Sequence, residues 1–258
     1  MTKQINIQEA LDWYIWAGVV ETCGDFACIE ENKIQTDQVV RKEENTQQVK
    51  QNLESSAVKN AKDLCRNISS LNELFEELRK FNGCNLKSTA ASTVIGEGNC
   101  NADIMFIGEA PGADEDKIGK PFVGRCGKLL DKMLSAIDLN REDCYITNVL
   151  PWRPPGNRTP TDDELATCLP FLKKQIELIK PKVIVLLGGI ALKSLMDSND
   201  SISRTRGKWL EYENEANKPI CVIATYHPSF LLRSSSQKSR AWTDFLRLKN
   251  KIKELEVD

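Results

Sequence analysis

The chain has a single histidine, His227, in the run Tyr226-His227-Pro228-Ser229-Phe230-Leu231-Leu232-Arg233. Imidazole is the side chain whose ordinary pKa lies nearest neutrality, so one use of it in a whole chain marks that position for scrutiny. Three other segments carry groups able to do chemistry. Glu109 and Glu115 lie in Gly108-Glu109-Ala110-Pro111-Gly112-Ala113-Asp114-Glu115-Asp116, which holds four carboxylates within eight residues. Glycines there let the backbone bend tightly and approach a ligand. Phe122 lies in the turn-rich Gly119-Lys120-Pro121-Phe122-Val123-Gly124-Arg125, where it need not pack in a core. Asn148 follows Cys144-Tyr145-Ile146-Thr147, and its amide offers both a donor and an acceptor.

An aromatic face, an amide, an imidazole and carboxylates together suit a flipped nucleobase. A flat ring wants a stacking platform, and a departing base anion wants a donor near its carbonyl oxygen. An amide fixed in one orientation donates to O4 of uracil and accepts from its N3–H. Cytosine presents the reverse pattern. Plainer readings exist for each group: a capping or solvated histidine, and a solvated acidic turn for Asp114, Glu115 and Asp116. A phosphate cradle is disfavoured, because the loop lacks Walker or dinucleotide glycine spacing and its four acids would repel phosphate.

These groups need a frame that brings strand ends together. Residues 104–107, 144–147, 183–187 and 220–225 are short apolar runs that read as strands. Helical apolar spacing falls between them, over 127–137, 162–180 and 237–255. The alternation predicts an α/β fold, a three-layer αβα sandwich with a central four-stranded parallel sheet. Sites in such sheets lie beyond the strands' carboxyl ends, which is where Gly108, Asn148 and His227 fall. Upstream, a helix is expected over 57–66, and Ser70-Leu71-Asn72-Glu73 reads as a capping box for another.

The first part of the chain differs. Residues 10–20 have helix-like spacing, with Trp13 and Trp16 adding bulk, and residues 30–57 are rich in Glu, Gln, Asn, Lys and Thr. The expected organisation is a helical N-terminal extension (1–29), a flexible polar linker (30–57) and an α/β catalytic domain (58–258). The N-terminal helix would dock on that domain or on a protein partner.

Composition narrows the class. The chain is 41% hydrophobic and 28% charged, and no apolar run approaches the roughly 18–20 residues that span a bilayer. Met1-Thr2-Lys3-Gln4 lacks the basic and apolar regions of a signal peptide, so a cytoplasmic location is expected, with no membrane partner. Net charge is −2, yet residues 227–253 hold seven Lys/Arg against the single acid Asp244. A local basic face can still meet phosphate. The nine cysteines are irregularly spaced and include no Cys-x-x-Cys, which argues against a disulfide framework.

"GEAPGADEDKIGKPFVG", "TNVLPWRPPGNR" and "YHPSFLLR" together resemble the motifs of family 4 uracil-DNA glycosylases. The resemblance covers roughly residues 81–253, about two-thirds of the chain. It implies hydrolysis of the N-glycosidic bond of uracil in DNA, leaving an abasic site for base-excision repair. It implies catalytic roles for Glu109, Glu115, Asn148 and His227, and a base pocket built with Gly108, Ala110, Phe122, Asn148 and His227. Phe122 matches the stacking aromatic, Asn148 the uracil-reading amide, and His227 the donor to the uracil O2. Ala110 stands where the family more often has glycine. Glu109 is expected to line the pocket, and Glu115 to lie near C5 of uracil and help exclude thymine. Two other readings remain: a glycosylase for other deaminated bases, and a non-catalytic lesion binder.

One departure from the family matters. The resemblance implies an iron–sulfur cluster of the 4Fe–4S type held by four cysteines. Cys84 and Cys168 match two ligands, but Phe81 and Trp152 occupy the other two positions, and neither can ligate iron. The chain is therefore expected to be a variant lacking two of the four iron–sulfur cysteines. It should carry no cofactor and no metal, with Cys84 and Cys168 as remnants and the aromatics packed into the vacated space. A rearranged cluster would have to recruit Cys65 or Cys100, which lie at other spacings.

DNA contacts are expected from Arg153, Arg158, Leu231, Leu232, Arg233 and Lys238. Leu231 and Leu232 could wedge into the gap left by an extruded base, or pack under the last helix. The cations could meet phosphates. The expected partner is uracil-containing DNA, bound by a monomer.

Overall fold

Four apolar runs form the middle of the sheet in a computed structural model that describes residues 56–214 and 217–255. They are β2 (Ile104–Gly108), β3 (Cys144–Asn148), β4 (Val183–Leu187) and β6 (Asn217–Thr225), all parallel, in the order β3-β2-β4-β6. Every residue of β2, β3 and β4 is buried. Their sequences lack polar alternation because both faces are covered. Met105, Ile107, Ile184 and Leu186 enter one core. Phe106, Val183, Val185 and Leu187 enter the other.

Helices complete the outer layers. On the first face lie α1 (Ser56–Arg66), α2 (Leu71–Lys80), α5 (Asp162–Ile179) and α6 (Gly189–Met196). On the second lie α4 (Arg125–Ser135) and α9 (Lys238–Leu255). Short helices α3 (Ala113–Ile118), α7 (Ile202–Thr205) and α8 (Pro228–Arg233) sit in the connections. The expected three-layer sandwich and its four parallel strands are present.

Two antiparallel edge strands were not expected, so the sheet has six strands rather than four. β1 (Glu97–Gly98) pairs with β3, and β5 (Trp209–Asn214) pairs with β6. β1 is two residues long, and β5 alternates exposed and half-buried residues at a solvated edge. Neither carries the continuous apolar run that marks a strand buried on both faces.

Local signals are met closely. Ser70 caps α2, its Oγ accepting from the Glu73 N–H at 3.3 Å, while Glu73 returns to the Ser69 N–H at 3.0 Å, one residue earlier than a full box requires. Thr161 and Glu164 form the reciprocal pair at the start of α5. Helix α1 begins at Ser56, two residues ahead of the expected domain boundary. The helix expected over 10–20 and the linker before Ser56 lie outside the described residues.

Phe81 and Trp152 lie in the first core beside Cys84 and Cys168, and all four are buried. Phe81 packs edge-on against Phe171 with ring centroids 5.0 Å apart. Trp152 is 1% exposed, and its indole N–H donates to Thr93 Oγ1 at 3.1 Å. The neighbouring Cys84 thiol, together with burial, drives the Cys168 pKa well up. With buried aromatic rings where two thiolates would stand, these residues do not fit a four-thiolate cluster. Cys65 sits near Lys174 and Glu177, with its thiol pushed up to about 12 by burial, and Cys100 is exposed.

Candidate active site

A cavity of about 400 Å³ lies where β2, β3 and β6 end. Glu109 and Ala110 enter it directly after β2, Asn148 closes β3, and His227 follows β6 by two residues. Phe122 reaches it from the loop between α3 and α4. The parallel arrangement thus delivers residues from three separate strand exits to one chamber.

Gly108 and Asn148 are register partners on β2 and β3. A Cβ on Gly108 would lie 2.4 Å from Asn148 Oδ1 and 2.6 Å from Phe122 Cζ. Glycine is therefore required for the amide and the ring to share the floor of the cavity. Asn148 is 6% exposed, and its Oδ1 is buried with no hydrogen-bond partner. A buried acceptor left unpaired costs on the order of 1–3 kcal/mol. An N–H donor entering the cavity would satisfy it.

His227 caps α8, with Pro228 at the first helical position, where the missing N–H costs nothing. Its Nδ1 accepts from the Ser229 N–H at 3.1 Å and lies 2.8 Å from Ser229 Oγ. A backbone N–H can only donate, so Nδ1 is unprotonated and the proton sits on Nε2. Burial, with Arg233 adding repulsion, pushes the pKa down to about 4. The ring is therefore a neutral donor at neutral pH. Its centroid lies 5.7 Å from that of Phe122.

The two glutamates have different environments. Glu109 lines the cavity, and burial holds its carboxyl above the usual range. Glu115 also borders the cavity, but its oxygens are committed. Oε1 accepts from the N–H groups of Val123 at 3.0 Å and Gly124 at 2.9 Å, and Oε2 from Gly112 at 3.1 Å. It ties the loop after β2 to the loop carrying Phe122, rather than presenting a free carboxylate to C5 of a base. Asp116 is likewise buried, its Oδ1 accepting from the N–H groups of Ala91 and Ser92. The acidic turn is not simply solvated; much of it binds backbone.

The residues expected at DNA divide. Arg233 and Arg158 border the cavity and are exposed. Arg158 forms a two-pronged pair with Glu164, at 2.9 and 2.6 Å. Arg153 bonds Asn157 at 2.7 Å. Leu232 is 38% exposed, but Leu231 is fully buried in the second core. Leu231 is therefore corrected from wedge to packing residue, because α8 turns it inward. Lys238 is buried at the start of α9, and burial lowers its pKa. It is not the exposed phosphate contact expected.

Some lining residues were not singled out from sequence. Cys126, in the first turn of α4, borders the cavity. Pro154, Thr159 and Ser229 do so too. Only their closeness to the motif residues could have signalled them.

Residues 95–246 match the family described as the Uracil DNA glycosylase superfamily. The chain is 44% identical over 185 residues to the type-4 uracil-DNA glycosylase of Archaeoglobus fulgidus, covering 70% of this chain and 92% of that protein. It is 46% identical over 166 residues to the type-4 enzyme of Thermotoga maritima, covering 64% and 84%. It is 28% identical over 147 residues to the type-5 enzyme of Pyrobaculum aerophilum, covering 51% and 63%. With its parallel sheet and its cavity at the strand exits, this chain belongs to the uracil-DNA glycosylase superfamily, in its type-4 branch.

Proposed function

We propose that this protein excises uracil from DNA by hydrolysing the N-glycosidic bond, leaving an abasic site for base-excision repair. The observation that carries this reading is the orphaned, buried Asn148 Oδ1 facing a cavity that also holds Phe122 and His227. The N3–H of uracil supplies the missing donor, and the amide N–H₂ then meets O4. Cytosine, unprotonated at N3, leaves that acceptor unpaired. Phe122 serves as the stacking platform.

In the reaction, the bond between uracil N1 and C1′ of deoxyribose breaks, and its electron pair stays on the base. The His227 Nε2–H donates to O2, where negative charge builds up. A donor aimed at developing charge contributes on the order of 10²–10³ in rate. The sugar becomes oxocarbenium-like, and water adds to C1′. Glu109, the cavity carboxylate whose oxygens are not claimed by backbone amides, orients that water and steadies the positive sugar. The water's proton passes to Glu109 and then to solvent. Glu115 takes part by holding the two loops together.

We infer that the protein works without an iron–sulfur cluster, since Phe81 and Trp152 fill two ligand positions. No step above passes through one. DNA binding centres on Leu232 and Arg233, with Arg153 and Arg158 flanking. A single chain supplies every group named, which supports a monomeric unit. The residues ahead of α1 are open to a protein partner. Among the described residues no helix is long and apolar enough to cross a membrane.

The test is a uracil-containing oligonucleotide incubated with protein and no divalent metal, then treated with alkali. Strand cleavage by wild type, reduced about 10²-fold or more in Asn148→Ala and His227→Ala, supports the reading. Intact strand despite retained binding would favour a lesion binder.

A further inference from the structure

We propose that Arg141 is a positioning residue that fixes the base-stacking ring of Phe122 through the backbone, an inference that rests on the reading of Phe122 as the platform. Arg141 stands in a single 3-10 turn, Arg141–Asp143, just before β3, and does not line the cavity. Its guanidinium grips the loop below. Nη1 and Nη2 donate to the Phe122 carbonyl at 2.9 and 2.8 Å, and Nη2 also donates to the Pro121 carbonyl at 2.6 Å. Two carboxylates hold the guanidinium in turn: Asp131 Oδ1 at 3.1 Å from Nη1, and Glu97 Oε2 at 3.9 Å from Nε.

Phe122 needs this grip. Its φ is +52°, in the left-handed region that a bulky side chain seldom adopts. The Phe122 carbonyl and the Val123 N–H belong to one peptide plane. Arg141 takes the carbonyl, and Glu115 Oε1 takes the N–H at 3.0 Å. The plane is therefore bound at both ends, and only the side-chain torsions of Phe122 remain to place the ring. The carbonyl is also pressed against α4. A Cβ on Gly127 would lie 1.7 Å from it, so that turn tolerates no side chain. Released from Arg141, the residue can relax toward right-handed backbone and swing the ring away from Gly108 and His227. A fork of several N–H donors suits two adjacent carbonyls, whereas a lysine is a point charge that cannot match both.

A mutant cycle decides the matter. Phe122→Ala, Arg141→Ala and the double variant are compared by single-turnover excision of uracil, with circular dichroism melts reporting folding. Arg141→Ala should lose about 10- to 100-fold in kcat/KM, the loss expected for a charged hydrogen-bond set, with Arg141→Lys recovering part of it. Because Arg141 acts through Phe122, the double variant should be no slower than Phe122→Ala alone. Losses that multiply in the double variant, or full activity in Arg141→Ala, would overturn the proposal. Full activity in Phe122→Ala would instead remove the platform reading and the proposal with it. If Arg141→Ala does not fold, Arg141→Lys carries the same cycle with a smaller expected loss.

Discussion

Gly108 and Asn148 face each other across the parallel register of β2 and β3, and the bare α-carbon of one makes room for the amide of the other. Gly108→Ala puts a methyl 2.4 Å from Asn148 Oδ1 and 2.6 Å from the Phe122 ring. Both must shift, and displacement by about 1 Å in a site of this kind can cost on the order of 100-fold. The variant should stay folded in a thermal melt while its excision rate falls by that factor. A rate within about twofold of wild type would sink the argument.

Glu109 should set the acid limb of activity. Its carboxyl is held above the usual range by burial and must be ionised to orient water, so activity falls as pH drops through its pKa. His227 must stay neutral, and with its pKa near 4 it titrates below that limb. A kcat/KM profile should bend above the ordinary glutamate value, and Glu109→Gln should be slow and flat across the same range. The raised pKa also means that ionised Glu109 strains the fold. The stabilising influence of its protonated form is lost as pH rises through the folded pKa, so Glu109→Gln should melt higher at neutral pH.

His227 contributes to stability in the opposite sense. Its folded pKa near 4 lies below the unfolded value of about 6.5, so the unfolded chain binds the proton first. Its share of stability is complete above about 6.5 and falls away toward 4, by on the order of 2 kcal/mol between pH 6.5 and 5. Denaturant titrations at these two pH values should show a smaller drop in His227→Asn than in wild type. Equal drops would place the imidazole in a solvated setting.

The central sheet was legible because continuous apolar runs such as Val183–Leu187 mean burial on both faces. Gly108, Asn148 and His227 were legible because they lie at or just beyond the ends of such runs. Arg141 was not, because nothing in its sequence neighbourhood announces carbonyls about twenty residues away. The backbone ties of Glu115 were hidden for a related reason. A carboxylate near a pocket reads as chemistry until its three backbone donors are known. Leu231 and Leu232 are neighbours with opposite fates, and only the pitch of α8 separates them.

That pair makes a clean comparison. Leu231→Ala opens a hole in a packed core and should cost about 2–5 kcal/mol, with activity per folded molecule unchanged on both substrate forms. Leu232→Ala, at a half-open surface site, should melt like wild type but excise uracil more slowly from duplex than from single strands. Equal losses on both substrates would take Leu232 out of the wedge role.

Trp152 and Phe81 carry the last prediction. If apolar packing has replaced metal ligation, protein purified without air should hold no stoichiometric iron or sulfide, and a chelator should not move its melting point. Trp152 fills its space almost completely and hydrogen-bonds Thr93, so Trp152→Ala should destabilise by about 3–5 kcal/mol. In a cluster-bearing protein the chelator would do the damage and the tryptophan would matter little. Finding iron and sulfide in fixed ratio to protein would therefore show that other residues join Cys84 and Cys168 as cluster ligands, and that the aromatic filling is incidental.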